Sequence, residues 1–449
     1  MIKRHNGFTR LCQKAPPFMA GMNGRTSLAG VLQSRTKAGL SGFGEVSPSH
    51  RKPRDLSRGG FTLVELLVAM VMFVLVIVAA TNIFTSMFTQ FKQQSKIAET
   101  NIEGIIGLDI LRLDIEHAGY GLPWNVTNVT GATTNWADLT GYFEALSVGV
   151  LPDPANFNDG TPGGTGGSAP RAILSDDDAD FNGGSNIFDG SDYLVIKSSN
   201  VAISAAAQKW THQRTDDTGS EFKRSGLSGL NEVFVPGDRV VVIFTGSTGS
   251  DSRSLVVSGG PGSWYTNYNL TSGFAPGNIN DTNLIYGIDP DTSPLRMPFN
   301  RADYYIWRGG ATPNTDGVPD RCAFNTGVLR KAVISQDDGI RQNPLPLIDC
   351  VADFQVVYRL DINNDGTITL TNDISFLTAM QIRGQVKGVE IYILAHEGQR
   401  DPNFTYATNP VTVGPPTGEG RPFDLTAITD WQDYRWKVYT LVVKTEELG

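Results

Sequence analysis

Proline is missing from residues 61 to 122, and charge is missing between Glu65 and Lys92. A proline-free stretch can run on as one helix, and an uncharged one can cross a bilayer core, which takes ~20 residues. Histidine is scarce: of five, only His117, His212 and His396 follow residue 60, and none stands in His–x–x–x–His spacing. That spacing is what a helix needs to place two imidazoles on one metal. There is no Gly–x–x–x–x–Gly–Lys phosphate loop and no nucleophile elbow. The glycines of GDRVVVIFTGSTGS, Gly237 to Ser250, make no Gly–x–Gly–x–x–Gly and read as a turn. These absences argue against an enzyme. Cysteines number three, and only Cys322 and Cys350 lie beyond residue 60.

Charge is unevenly spread. Residues 1–60 hold eleven Lys/Arg against Glu45 and Asp55, a net of +9; the whole chain is −9, so residues 61–449 carry −18. The basic side should stay cytoplasmic while the acidic body crosses the membrane. So acidic a body suits nucleic acid poorly, because phosphate neutralisation needs Lys and Arg. The first 60 residues are low in complexity and read as an unfolded leader, set aside before the fold is considered. A start at Val46 or Leu56 would make that leader short. Removing 60 of 449 residues leaves 389.

What is present is GFTLVELLVAM, Gly60 to Met70, a small residue ahead of an apolar run with one early carboxylate, Glu65. A lone Glu in such a run is costly in lipid and calls for a partner, so an ordinary signal anchor has no use for it. The stretch resembles the class III signal of type IV prepilins and type II secretion pseudopilins. The resemblance implies that a prepilin peptidase cuts between Gly60 and Phe61 and that Phe61 is N-methylated. It also implies that Glu65, fifth in the mature chain, pairs with the Phe61 amine of a neighbouring subunit.

One helix is expected from Phe61 to about Ala118, ~85 Å long, ended by Gly119, Gly121 and Pro123. Residues 61 to about 83 would span the membrane. Beyond them Phe84, Phe88, Phe91, Ala98, Ile102 and Ile105 recur at helical spacing, a stripe for packing on the body or on other subunits. Gly104 and Gly107 mark a close approach or a weak point, since each costs ~1 kcal/mol in a helix interior. The segment LDILRLDIEHAGYG, Leu108 to Gly121, resembles the helix end of PilW-type minor pilins, with Arg112, Asp114, Ile115, Ala118, Gly119 and Tyr120 in the matching places.

Residues 119–449 read as a β-rich globular domain on the exported side. Residues 125–190 are rich in Gly, Asn, Asp, Thr and Pro and read as loops. Alternating β-branched runs then predict strands at 193–197, 239–245, 255–258, 303–307, 328–334, 351–360, 386–395 and 436–444. The fold class is α+β, a long N-terminal helix packed on one or two mostly antiparallel sheets. DGSDYLVIK, YYIWRGG, TGVLRKAV, LIDCVADFQVVY and VKGVEIYILAHEG are similar, in their order, to PilW-type patterns; the ending WKVYTLVVKTEELG departs from them. On the exported side a disulfide between Cys322 and Cys350 is favoured over buried free thiols.

The metal-like stretch is DINNDGTIT, with Asp361, Asn363 and Asp365 at alternate positions and Gly366 at the bend. The closing Glu of a calcium loop is missing, since the twelfth position is Asn372. A hairpin turn is the preferred reading and Ca²⁺ the alternative. The acidic run Asp176, Asp177, Asp178, Asp180 with Asn182 reads as solvated surface.

The resemblance implies a structural PilW-like minor pilin at or near the tip of a type IV pilus, anchored by a single pass in the inner membrane before assembly. Its partners would be the prepilin peptidase, other minor pilins, the major pilin, the inner-membrane assembly platform and a PilY-type tip adhesin. The alternatives are a J-type pseudopilin of a type II secretion system and a membrane-anchored binding protein or hydrolase.

Overall fold

The computed structural model describes residues 60–129, 133–148, 153–160, 167–176, 190–214, 234–245, 252–260, 262–278, 281–289, 294–308, 317–416, 418–445 and 448. Residues 1–59 of the leader and Asp177, Asp178, Asp180 and Asn182 lie outside them. The chain divides into two units, residues up to Met72 and Phe73–Gly449.

Helix α1 (Leu63–Glu116) runs unbroken for 54 residues. It begins two residues after Phe61 and stops two before Ala118. Gly119 then takes a left-handed φ of +84° and donates its N–H to the Lys197 carbonyl at 3.0 Å, which closes the helix and starts the body. Tyr120 turns back edge-on to His117, ring centroids 6.2 Å apart.

The strands, in chain order, are β1 (Asn125–Asn128), β2 (Thr133–Thr134), β3 (Ile173–Asp176), β4 (Tyr193–Ser198), β5 (Trp210–Arg214), β6 (Arg239–Thr245), β7 (Ser252–Val257), β8 (Thr266–Asn267) and β9 (Thr282–Gly287). After them come β10 (Asn300–Trp307), β11 (Gly327–Ile334), β12 (Arg341–Leu360), β13 (Thr369–Thr371), β14 (Val386–Glu397), β15 (Val411–Val413), β16 (Arg421–Phe423) and β17 (Arg435–Val443). A short helix, α2 (Ala379–Gln385), precedes β14.

The larger sheet runs β17-β14-β12-β11-β10-β4-β3, with β13 hairpinned onto β12. Its pairs are antiparallel. The second sheet runs β2-β1-β7-β6-β9-β5, with β8 on β6; within it β1 and β7 pair in parallel. β15 and β16 form a separate pair. The protein is thus α+β, a long helix on mostly antiparallel sheet, as the sequence predicts.

The main core holds Leu111 and Ile115 of α1 with β4, β10, β12 and β14 of the larger sheet and Val241, Ile243 and Leu255 of the second. The opposite face of the larger sheet is covered by a second cluster built from Val411, Val413, Phe423 and Leu425 on Ala352, Tyr392 and Leu394. β4 is buried at every position: Leu194 and Ile196 lie in the main core, while Tyr193 stacks on Phe157 and Lys197 meets Glu144 and Asp159.

The face that α1 turns to the body differs from the predicted one. Its buried residues are Thr100, Gly104, Gly107, Leu111 and Ile115, at steps of four, three, four and four. Phe84, Phe88, Phe91, Ile102 and Ile105 are all exposed. The reason is at Gly107, where a Cβ would lie 2.0 Å from the Leu347 carbonyl oxygen of β12. The backbones come so close that small residues must form the contact, and the large apolar ones are turned away.

Candidate functional site

The described residues of the first unit start at Gly60. Among the described residues a Cβ added there would meet nothing within 4 Å, and its φ is not left-handed. Phe61 follows, 87% exposed.

Thr62 and Glu65 then form a capping box. The Thr62 hydroxyl accepts from the Glu65 N–H at 3.2 Å, and the Glu65 carboxylate accepts from the Thr62 N–H at 2.9 Å and from its hydroxyl at 3.0 Å. Glu65 therefore has a partner inside its own chain. The pattern Thr–x–x–Glu was visible in the sequence, but the reading of Glu65 as a lone carboxylate passed over it. Beyond the cap, Leu63, Val64, Leu66, Leu67, Val68 and Met70 are all exposed. By length and composition α1 is a helix able to cross a membrane.

Residues 56–81 match the prokaryotic N-terminal methylation motif. The match takes in the Gly60–Phe61 junction, the capping box and the apolar start of α1. No curated protein matches the chain. Among solved structures, a type IV-like pilin from Thermus thermophilus is similar at 16% identity and a TM-score of 0.19, over 34% of this chain. The chain spans 66% of that pilin's length. The architecture above stands on this chain's own strand order. A prepilin-type signal at the start of a long apolar helix fits an inner-membrane-anchored, pilin-like protein.

In the second unit α1 is tied to the body at three levels. Near its end Asp114, half-buried, accepts from Lys331 Nζ at 2.6 Å and from the Tyr304 hydroxyl. Burial pushes the Asp114 carboxyl above its usual range against the pull of Lys331. Two turns earlier Gly107 meets β12. One turn before that, Arg321 bridges Glu103 of the helix at 2.5 Å and Asp349 of β12 at 2.6 Å.

Arg321 and Asp349 are the neighbours of Cys322 and Cys350, which are joined by a disulfide. The bond fixes the segment carrying Arg321 to β12. His396 on β14 lies beside it: ligand atoms of Cys322, Cys350 and His396 fall within 4.8 Å of one another, but the sulfurs are bonded to each other. His396 Nε2 accepts from the Ala323 N–H at 2.8 Å, and the ring packs against Tyr434 and Trp436. Burial, with Arg321 nearby, pulls its pKa down to about 3.

DINNDG forms the β12–β13 hairpin turn. Both Asp361 oxygens accept from backbone, from Asp365 N–H and Gly366 N–H at 3.0 Å each, and Asp365 accepts from Thr367 N–H at 2.8 Å. Asn363 is exposed, and Gly366 takes φ +84°. The acidic side chains serve the turn's own amides.

A buried ion network was not predicted. Lys197 of β4 meets Glu144 at 2.7 Å and Asp159 at 2.6 Å; Arg301 of β10 meets Asp303 at 2.8 Å and Glu144 at 3.2 Å. Tyr193 donates to Asp303. Together they pin a segment with little regular structure, around Tyr142–Gly160, to the sheet. Removing one member would strand a buried charge, at ~3–5 kcal/mol. No local pattern announces partners such as Arg301 and Glu144, 157 residues apart.

Proposed function

We propose that the chain is a structural minor pilin of the PilW type, cut between Gly60 and Phe61, methylated on Phe61 and assembled at or near the tip of a type IV pilus. On this reading residues 1–60 are the leader, α1 to about residue 83 is the membrane span, and the body after the helix faces the periplasm and then the pilus surface. The prepilin peptidase, an inner-membrane assembly platform, other pilins and a PilY-type adhesin are its partners.

The observation that carries the reading is the Gly60–Phe61 junction itself. A glycine whose added Cβ would touch none of the described residues stands directly before a capped apolar helix and inside the matched motif. N-terminal mass spectrometry of sheared pili tests it. A mature chain that starts at methylated Phe61 is expected, and Gly60→Val should leave the leader in place. A chain recovered with residues before Phe61 overturns processing. A processed chain absent from pili, but needed for type II secretion, assigns it to the J-type pseudopilins instead.

The body has no metal in this proposal. Ca²⁺ should leave the melting temperature unchanged, because Asp361 and Asp365 are engaged by their own backbone. An upward shift lost in Asp361→Ala would reverse that.

A further inference from the structure

Lys197 projects from β4 and is fully buried. Its Nζ meets two carboxylates, Asp159 Oδ2 at 2.6 Å and Glu144 Oε2 at 2.7 Å. It also donates to the Phe157 carbonyl at 2.9 Å, with the Phe299 ring 5.6 Å away. Among the described residues the other buried lysines in ion pairs meet one carboxylate each: Lys209 reaches Asp238 at 2.8 Å, and Lys331 reaches Asp114 at 2.6 Å. One acid is enough to balance an ammonium. A second acid on the same nitrogen can move its protons.

The geometry favours reaction between the two partners. With Oδ2 at 2.6 Å, Nζ lies roughly 3–3.5 Å from Asp159 Cγ, the spacing of a near-attack arrangement. Asp159 is fixed from its other side, where the Arg171 N–H donates to Oδ2 at 2.8 Å and the Arg171 Nε to Oδ1 at 2.7 Å. Glu144 is fixed by the Tyr142 hydroxyl at 3.0 Å, the Asp159 N–H at 2.8 Å and Arg301 at 3.2 Å. The side chains of Lys197, Glu144 and Asp159 are at most 4% exposed, so water is kept out. Burial opposes the Asp159 charge, but Lys197 and Arg171 draw its carboxyl below the usual range, so the pair starts as ammonium and carboxylate. Both ions bear a desolvation cost that a neutral amide lacks.

We propose that Lys197 and Asp159 condense into an isopeptide bond, with Glu144 as the proton carrier. Glu144 takes a proton from the ammonium, and the freed amine forms a bond to Asp159 Cγ. The displaced electron pair moves onto Oδ1, where the Arg171 Nε holds the charge. It returns as the Cγ–Oδ2 bond breaks, and Oδ2 leaves as water. Of the three ammonium protons, one stays as the amide N–H and two leave in that water. Glu144 relays them and ends ionised, as it began. The step needs no oxidant, reductant or co-reactant. It removes one positive and one negative charge, and Arg301 stays paired with Glu144 and Asp303. The bond ties β4 covalently to a segment with little regular structure, 38 residues earlier.

The test is mass spectrometry of the full chain, purified in detergent, reduced, alkylated and digested with trypsin in denaturant. Intact wild type should weigh one water less than its sequence requires, and Lys197→Arg should not. The wild-type digest should contain one branched peptide that carries both Asp159 and Lys197, with no cut after Lys197. Asp159→Asn should form the same bond with loss of ammonia in place of water. Glu144→Gln should cut the branched fraction in freshly made protein by about tenfold or more. Glu144→Asp, which keeps a carboxylate, should restore part of it. Wild type recovered at full mass, with free peptides ending at Lys197, overturns the bond and leaves an ion pair only. An undiminished branched fraction in Glu144→Gln overturns the role of Glu144.

Discussion

Along α1, two sets of residues face opposite ways. Thr100, Gly104 and Gly107 are small and buried against the body; Phe84, Phe88, Phe91, Ile102 and Ile105 are large, apolar and exposed. A reading based on hydrophobicity alone puts the second set inside. The difference teaches that apolar spacing shows which residues should leave water, but not whose surface covers them. Where helix and strand backbones almost touch, the contact belongs to glycine.

The comparison breaks most sharply at Gly107. Gly107→Val places a Cβ on the Leu347 carbonyl, a backbone atom that cannot swing aside. We expect a loss of about 3 kcal/mol or more in denaturant unfolding, at the top of the range for overpacking. Ile105→Ala, two residues away on the exposed set, should change stability by less than ~0.5 kcal/mol. Equal losses at the two positions would mean that the helix faces are assigned the wrong way round.

The disulfide sharpens the same contrast from the body's side. Cys322 and Cys350 are 28 residues apart, a loop whose closure stabilises by about 3–4 kcal/mol in the chain-entropy model. Cys322→Ala with Cys350→Ala should lower stability by that order and loosen the Arg321 bridge to Glu103. Hydrogen exchange along α1 should then quicken around residue 103 and stay unchanged near residue 75. A uniform increase along the whole helix would show that the disulfide does not act through that bridge.

Acid should find the same region. His396 is held neutral in the fold with its pKa down to about 3, while unfolded it protonates near 6.5. A depressed folded value means the contribution is fully present above pH 6.5 and is lost as pH falls toward 3. Between pH 7 and 5 this amounts to roughly 2 kcal/mol. His396→Gln keeps an acceptor for the Ala323 N–H and should flatten that slope. A slope unchanged by the substitution would place the acid sensitivity elsewhere.

Several features were legible because they are local. The strands from β10 to β17 with continuous apolar runs were found to within a few residues, except that β12 starts at Arg341, ten residues earlier than its apolar run. The helix ended near its glycines. β1, β3, β5 and β9 were missed, being short and mixed in composition, with strand identity supplied by their neighbours in the sheet. The buried ions at Glu144, Lys197 and Arg301 were illegible because their meaning depends on contacts the sequence does not show.

Glu65 offers the smallest change to the fold and the finest division of roles. Its carboxylate accepts both from the Thr62 N–H and from the Thr62 hydroxyl, so it caps its own helix. The proposed function would give it a second task, pairing with the Phe61 amine of another subunit. Alanine removes both and cannot tell them apart. Glutamine keeps an oxygen at the third helical position, where either residue completes a capping box, but carries no charge. If charge pairing governs assembly, Glu65→Gln should fall out of sheared pili as completely as Glu65→Ala while both are cut normally after Gly60. If capping is the whole role, Glu65→Gln should assemble like wild type and only Glu65→Ala should fail. Quantitative recovery of the two variants from the same pilus preparation decides between a residue that shapes its own helix and one that reaches across to another.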